Sequence, residues 1–224
     1  MFRFIIFLFL ISLTPSVVAD FSRECQKRLP ATKVTVKAEP VVYDVDLKKS
    51  IAQLTKMSHK GHTAHRTKTL GLAVAELNYN IDWGYKNLTD PRTQKECISP
   101  EINVTLSYTP MTVYVAKEFK KGSCEHREIW KHEMKHVNVY RKHLDDIKYT
   151  LAKELRQIFS KHHYEFDEIG LGKRYLTEAI HSFWGERTGE FVTAVHPKQE
   201  NVDTAEEYAR VARTCGGNWQ INYQ

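Results

Sequence analysis

Residues 123–169 contain neither Gly nor Pro, and apolar residues recur there at Val137, Tyr140, Leu144, Ile147, Leu151, Leu155 and Ile158. Steps of three and four place these side chains on one stripe, which predicts a single long amphipathic helix. Ser123 is placed to cap its start, and Glu125 adds charge that favours that end. A second helix is predicted after Gly170-Leu171-Gly172, carrying Tyr175, Leu176, Ile180, Phe183 and Trp184. A last short helix is predicted over residues 204–213, with Asp203 or Thr204 as its cap. Before residue 120 the period changes to two. Val34, Val36, Val41 and Val42 mark one or two early strands, and residues 70–83 return to strand character. Residues 46–57 suit a short helix, with Leu47, Ile51 and Leu54 on one side. Residues 58–67 are polar and histidine-rich and read as a loop, as do residues 87–100 with Pro91 and Pro100. Residues 102–108 and 112–117 alternate cleanly around Thr109-Pro110 and are predicted to pair as a hairpin. The expected fold class is α+β. A β-rich half (20–119) with a hairpin would pack on a helical half (120–224) that carries the long helix, the two forming one domain.

Three features outside this pattern add context. The chain begins Met1-Phe2-Arg3, runs apolar to Leu13, and reaches Val17-Val18-Ala19 after Thr14-Pro15-Ser16. That is the layout of a secretory signal over residues 1–19, too short to span a bilayer, so a secreted or periplasmic protein without stable membrane insertion is expected. The formal net charge of +6 is spread along the chain. It forms no block of the kind that binds nucleic acid, and no nucleic-acid partner is expected. The four cysteines, Cys25, Cys97, Cys124 and Cys215, suit two disulfides in an exported protein. If the hairpin forms around Thr109-Pro110, Cys97 and Cys124 lie at its open end. This favours Cys97–Cys124 and leaves Cys25–Cys215 to tie the ends together.

The chemistry concentrates in His132-Glu133-Met134-Lys135-His136, an HExxH sequence inside the long helix. Residues four apart on a helix share a face, so both imidazoles can reach one metal ion. Neutral imidazole suits Zn²⁺. Glu133 lies beside the first ligand and can take a proton from a water attacking a carbonyl. Both histidines fall near the apolar stripe, not on the opposite, solvated face.

A catalytic zinc site usually needs a third protein ligand. His143 lies seven residues after His136, about 10 Å further along a continuous helix, and is out of reach. The HExxHxxGxxH pattern would need Gly at position 139 and His at 142, where this chain has Val139 and Lys142. The third ligand is therefore expected from a later helix. If the two long helices pack antiparallel and turn near residue 168, the chain returns to the level of His132 at about residues 200–205. Glu207, Glu206, His196 and Glu200 all have suitable chemistry there, and Glu178 is a further option in another register. Glu207 is the favoured ligand. The run His59, His62, His65 is a loop feature with no helical geometry to gather it on a metal.

The chain resembles a family of secreted bacterial HExxH proteins described as zinc-dependent proteases and known mainly as a domain of unknown function. The resemblance covers most of the chain. It takes in Ile81-Asp82-Trp83, the Cys97 loop, Val104-Thr-Leu-Ser-Tyr108 to Val113-Tyr-Val-Ala116, and Gly122-Ser-Cys124. It continues through the HExxH element to Val202-Asp-Thr-Ala-Glu-Glu-Tyr208. It implies a gluzincin-like arrangement with His132 and His136 as ligands, Glu133 as base, and proteolytic activity. The expected function is a zinc metallopeptidase acting on a peptide or protein, bound along an edge such as residues 70–77. The rivals are a non-catalytic envelope protein with a structural zinc site, and a zinc amidase acting on cell wall.

Overall fold

The computed structural model describes residues 18–58 and 68–216. In chain order the elements are α1 (Val18–Arg28), β1 (Lys33–Ala38), β2 (Asp44–Asp46), α2 (Ile51–Ser58), β3 (Gly71–Asp90) and β4 (Lys95–Val115). They continue as α3 (Cys124–Ile158), β5 (Tyr164–Phe166), α4 (Leu171–Thr193), α5 (His196–Glu200) and α6 (Ala205–Arg213). Strands dominate the first half and helices the second, and the fold is α+β. The expected signal segment and the run His59, His62, His65 lie outside the described residues, apart from Val18 and Ala19, which open α1.

The described residues fall into two compact units. One is drawn from Met1–Lys33, Gly84–Glu101 and Ser160–Glu178. In it, β5 pairs antiparallel with the start of β4, Cys97 opposite Glu165. One core cluster in it is Cys25, Leu29 and Cys97, with Phe21 and Leu88 against them; Ile98, Tyr164 and Leu176 are also buried here. The buried Cys25–Cys97 disulfide ties α1 to β4 within this cluster. The buried Glu96 carboxylate accepts from the backbone N–H groups of Gly170 and Gly172, at 2.9 and 3.1 Å, where α4 begins. Those amides have no partner within the helix, and an anion suits that end.

The other unit is drawn from Val34–Trp83, Ile102–Phe159 and Ala179–Gln224. Here β2 pairs parallel with the end of β4, Val45 opposite Val113. Met111 and Val113 of β4 meet Val137 of α3, with Val41, Tyr43, Ala73, Ala75, Trp130, Met134 and Tyr140 packed around them. The 35-residue α3 follows the predicted stripe as far as Leu155, while Ile158 at its end is exposed. Val137, Leu144, Ile147, Leu151 and Leu155 are buried, each contributing about 1.5–3 kcal/mol. The Ser123 hydroxyl accepts from His126 N at 3.2 Å and caps the helix. The Cys124–Cys215 disulfide ties the start of α3 to the chain just beyond α6.

Two expectations are corrected. Residues 102–117 do not form a hairpin: β4 runs through Thr109-Pro110, a cis peptide, without reversing. The reversal lies at residues 91–94, between β3 and β4. There the Asp90 carboxylate accepts from Arg92 N and the Thr93 hydroxyl, both at 3.0 Å, and Gln94 takes a left-handed conformation. The region read as a proline-containing loop is thus the end of β3, a turn and the first part of β4. With the hairpin gone, the argument for Cys97–Cys124 and Cys25–Cys215 falls, and the pairs are Cys25–Cys97 and Cys124–Cys215. Two disulfides point to an oxidising compartment. No helix among the described residues is long and apolar enough to cross a membrane.

Candidate metal centre

His132, Glu133 and His136 lie in the first half of α3 on its buried face, each less than a tenth exposed. The one-turn spacing brings the two rings edge to face, and their Nε2 atoms stand 3.3 Å apart. Asp203, in the turn between α5 and α6, brings Oδ1 to 3.1 Å from His132 Nε2 and 3.3 Å from His136 Nε2. These three atoms form a nearly equilateral triangle. A tetrahedral ion with bonds of 2.0–2.1 Å separates its ligands by about 3.3–3.4 Å, so the triangle has the size of one face of a zinc tetrahedron. Two imidazoles and a carboxylate are also a donor set that suits zinc. The residues fit the ion, and His132, His136 and Asp203 form a group that could hold a metal. Asp203 is the outermost of the three, its side chain 39 % exposed, so the group opens towards solvent on that side.

The other face of each ring is also occupied. His132 Nδ1 lies 3.3 Å from Glu207 Oε1, and His136 Nδ1 lies 2.6 Å from Gln199 Oε1. Both oxygens are acceptors, so each ring can donate from Nδ1, which would leave the lone pair of Nε2 for an ion held in the triangle. Glu207 accepts from Nη2 and Nε of Arg210, at 2.9 and 3.0 Å, and pairs with Lys135 at 2.6 Å. These partners, Arg210 first, hold its carboxyl down at about 2. Asp203 is likewise held well below the usual carboxylate range. Burial opposes its ionisation, but hydrogen bonds from His132 and His136 outweigh that, and the Tyr208 hydroxyl donates to the same carboxylate.

Glu133 lies beside the triangle and is not part of it. Burial pushes its carboxyl up to about 7, against the pull of His136 and His132, and the Ala73 backbone N–H donates to it. The start of β3 passes so close that a Cβ on Gly71 would stand 2.5 Å from Glu133 Oε1. Glycine is needed there for the backbone to approach the carboxylate.

The remaining candidates separate clearly. Glu207, the favoured third ligand, faces the far side of the His132 ring, and Asp203 occupies the position expected of it. His196, Glu200 and Glu206 are exposed and outside the group, and Glu178 is exposed and pairs with Arg174. His143 is buried, and its Nδ1 lies 2.7 Å from the Tyr108 hydroxyl. Burial pulls His143 down to about 4 and raises Tyr108, so the tyrosine donates to a neutral imidazole. Sequence reasoning missed Asp203, which reads as a helix cap; Thr204 is the cap, its hydroxyl accepting from Glu207 N at 3.2 Å. The available signal was position: Asp203 falls inside the window of residues 200–205 predicted to reach the level of His132.

Comparison of the chain with protein-family models, with curated proteins and with solved structures finds no match.

Proposed function

We propose that this chain is a zinc-dependent hydrolase, a peptidase of the exported HExxH class that its sequence resembles. The observation that carries the reading is the triangle of His132 Nε2, His136 Nε2 and Asp203 Oδ1 with the Glu133 carboxylate buried beside it. Zinc held by these three residues supplies Lewis acidity to a carbonyl and to water. Glu133 receives the proton from the attacking water and later delivers it to the leaving amine. Its backbone partner at Ala73 and the close approach of Gly71 keep the carboxylate aimed while the water is bound. Tyr208 holds Asp203 through its hydroxyl, with its ring 5.9 Å from that of His132. Among the described residues β3 pairs only with β4, which leaves its other edge for an extended peptide to join by backbone hydrogen bonds. A closed structural zinc site would need a fourth protein ligand. Glu207, a further carboxylate beside His132, is turned to its Nδ1 and committed to Arg210 and Lys135.

The test is Glu133→Ala assayed on a mixed fluorogenic peptide library, with zinc content measured on the same samples. The expected result is full zinc occupancy with turnover lower by at least ~10². Full occupancy with unchanged turnover would remove Glu133 as base. Zinc bound by both proteins with no hydrolysis by the wild type would favour the binding-protein alternative.

A further inference from the structure

The two histidines are oriented by unlike groups. Glu207 is a carboxylate, but its charge is met by Arg210 and Lys135. Gln199 carries no charge and makes two bonds to one residue. Its Oε1 can accept from His136 Nδ1 at 2.6 Å, and its Nε2 donates to the His136 carbonyl at 3.3 Å. The second bond fixes which end of the amide faces the ring. Gln199 and Asp203 lie four residues apart in one tight stretch, where Val202 N donates to Gln199 O at 3.0 Å and Asp203 N to Glu200 O at 3.1 Å. Lys198, the neighbouring residue, pairs with Asp146 of α3 at 2.9 Å. One short segment thus delivers a candidate ligand and a clamp on the opposite histidine, and it is pinned to the helix that carries both histidines.

We propose that Gln199 is the positioning residue for His136: it holds the ring in the Nδ1–H form with Nε2 directed at the metal position, and does so without adding a negative charge. This rests on the metal reading above. A glutamate at this position would hold the ring equally well but would add an uncompensated charge beside Asp203. The amide keeps the net charge at the ion positive, which preserves its pull on a substrate carbonyl.

The test compares wild type, Gln199→Ala, Gln199→Glu and Asp203→Ala. Zinc affinity is read by competition with a chromophoric chelator, and the histidine ring tautomers by long-range ¹⁵N–¹H spectra of the zinc-loaded proteins. Gln199→Ala is expected to weaken zinc binding by roughly 10–100-fold and to loosen the tautomer preference of His136 alone. Gln199→Glu is expected to hold zinc at least as tightly as wild type and to keep the His136 signature. A residue that merely packed would move neither reading selectively. Wild-type affinity and an unchanged His136 tautomer in Gln199→Ala would overturn the proposal while leaving the metal reading in place. No zinc binding by wild type, or wild-type affinity in Asp203→Ala, would overturn the metal reading itself and the proposal with it.

Discussion

Replacing Gly71 with Ala tests the placement of Glu133 without touching a candidate ligand. An ideal Cβ at residue 71 would stand 2.5 Å from Glu133 Oε1, 2.8 Å from Glu133 Cγ and 2.6 Å from Ile129 Cγ2. Ordinary contacts begin near 3.4 Å, so these neighbours must retreat by about 1 Å. Neither has room to do so freely, since Ile129 is 2 % and Glu133 3 % exposed. Overpacking of this kind destabilises by about 1–3 kcal/mol, offset by up to ~1 kcal/mol because alanine restricts the unfolded chain. A net loss of roughly 1–2 kcal/mol lowers the melting temperature by about 2–8 °C in a protein of this size. The functional effect is expected to be larger. A catalytic group displaced by about 1 Å loses on the order of 10² in rate. None of the three nearest atoms belongs to His132, His136 or Asp203, so zinc affinity is expected within about threefold of wild type. Calorimetry, chelator competition and peptide hydrolysis on the same preparation read the three quantities separately. Wild-type stability and turnover would show that β3 does not press on Glu133. Loss of zinc in step with turnover would show that the variant disturbs the whole site, and the reasoning would fail.

Two further predictions address what holds the structure together. His143, pulled down to about 4 by burial and then by Lys198, with Asp146 opposing, binds fewer protons in the folded chain than in the unfolded one between about pH 6.5 and 4. Its contribution is therefore complete above its ordinary value and is lost as pH falls through the folded one, up to ~3 kcal/mol in all. The stability of His143→Gln is expected to fall less steeply over that window than that of wild type, measured by urea unfolding at several pH values, and equal slopes would contradict the assignment. The partly buried Cys124–Cys215 disulfide anchors the chain just beyond α6, close in sequence to Asp203, and spans 91 residues. A Cys124→Ser/Cys215→Ser double variant is expected to lose about 3–5 kcal/mol and to bind zinc more weakly, and unchanged zinc affinity would mean that the segment holds its place without the tether.

What could be read without a structure is what neighbouring residues decide among themselves. The stripe from Val137 to Leu155, the Ser123 cap and a second helix starting near Gly170–Gly172 follow from helical period and capping, which operate within a turn or two. The placing of His132, Glu133 and His136 on one face needs nothing beyond helix geometry. The β3–β4 turn was misplaced because prolines at 91, 100 and 110 all resemble breaks, and only the pairing of β4 with its neighbours distinguishes a turn from a proline inside a strand. The disulfide pattern depended on that turn and failed with it. Asp203 illustrates the wider limit. Beside Thr204 in sequence it reads as a cap, and in space it lies against a histidine 71 residues away. Local sequence determined which residues could serve a metal on α3. Only the packing of residues 196–213 on that helix decided that Asp203 meets the two Nε2 atoms while Gln199 and Glu207 hold the rings from behind. Contacts so distant in the chain are set by the whole fold and not by local preference.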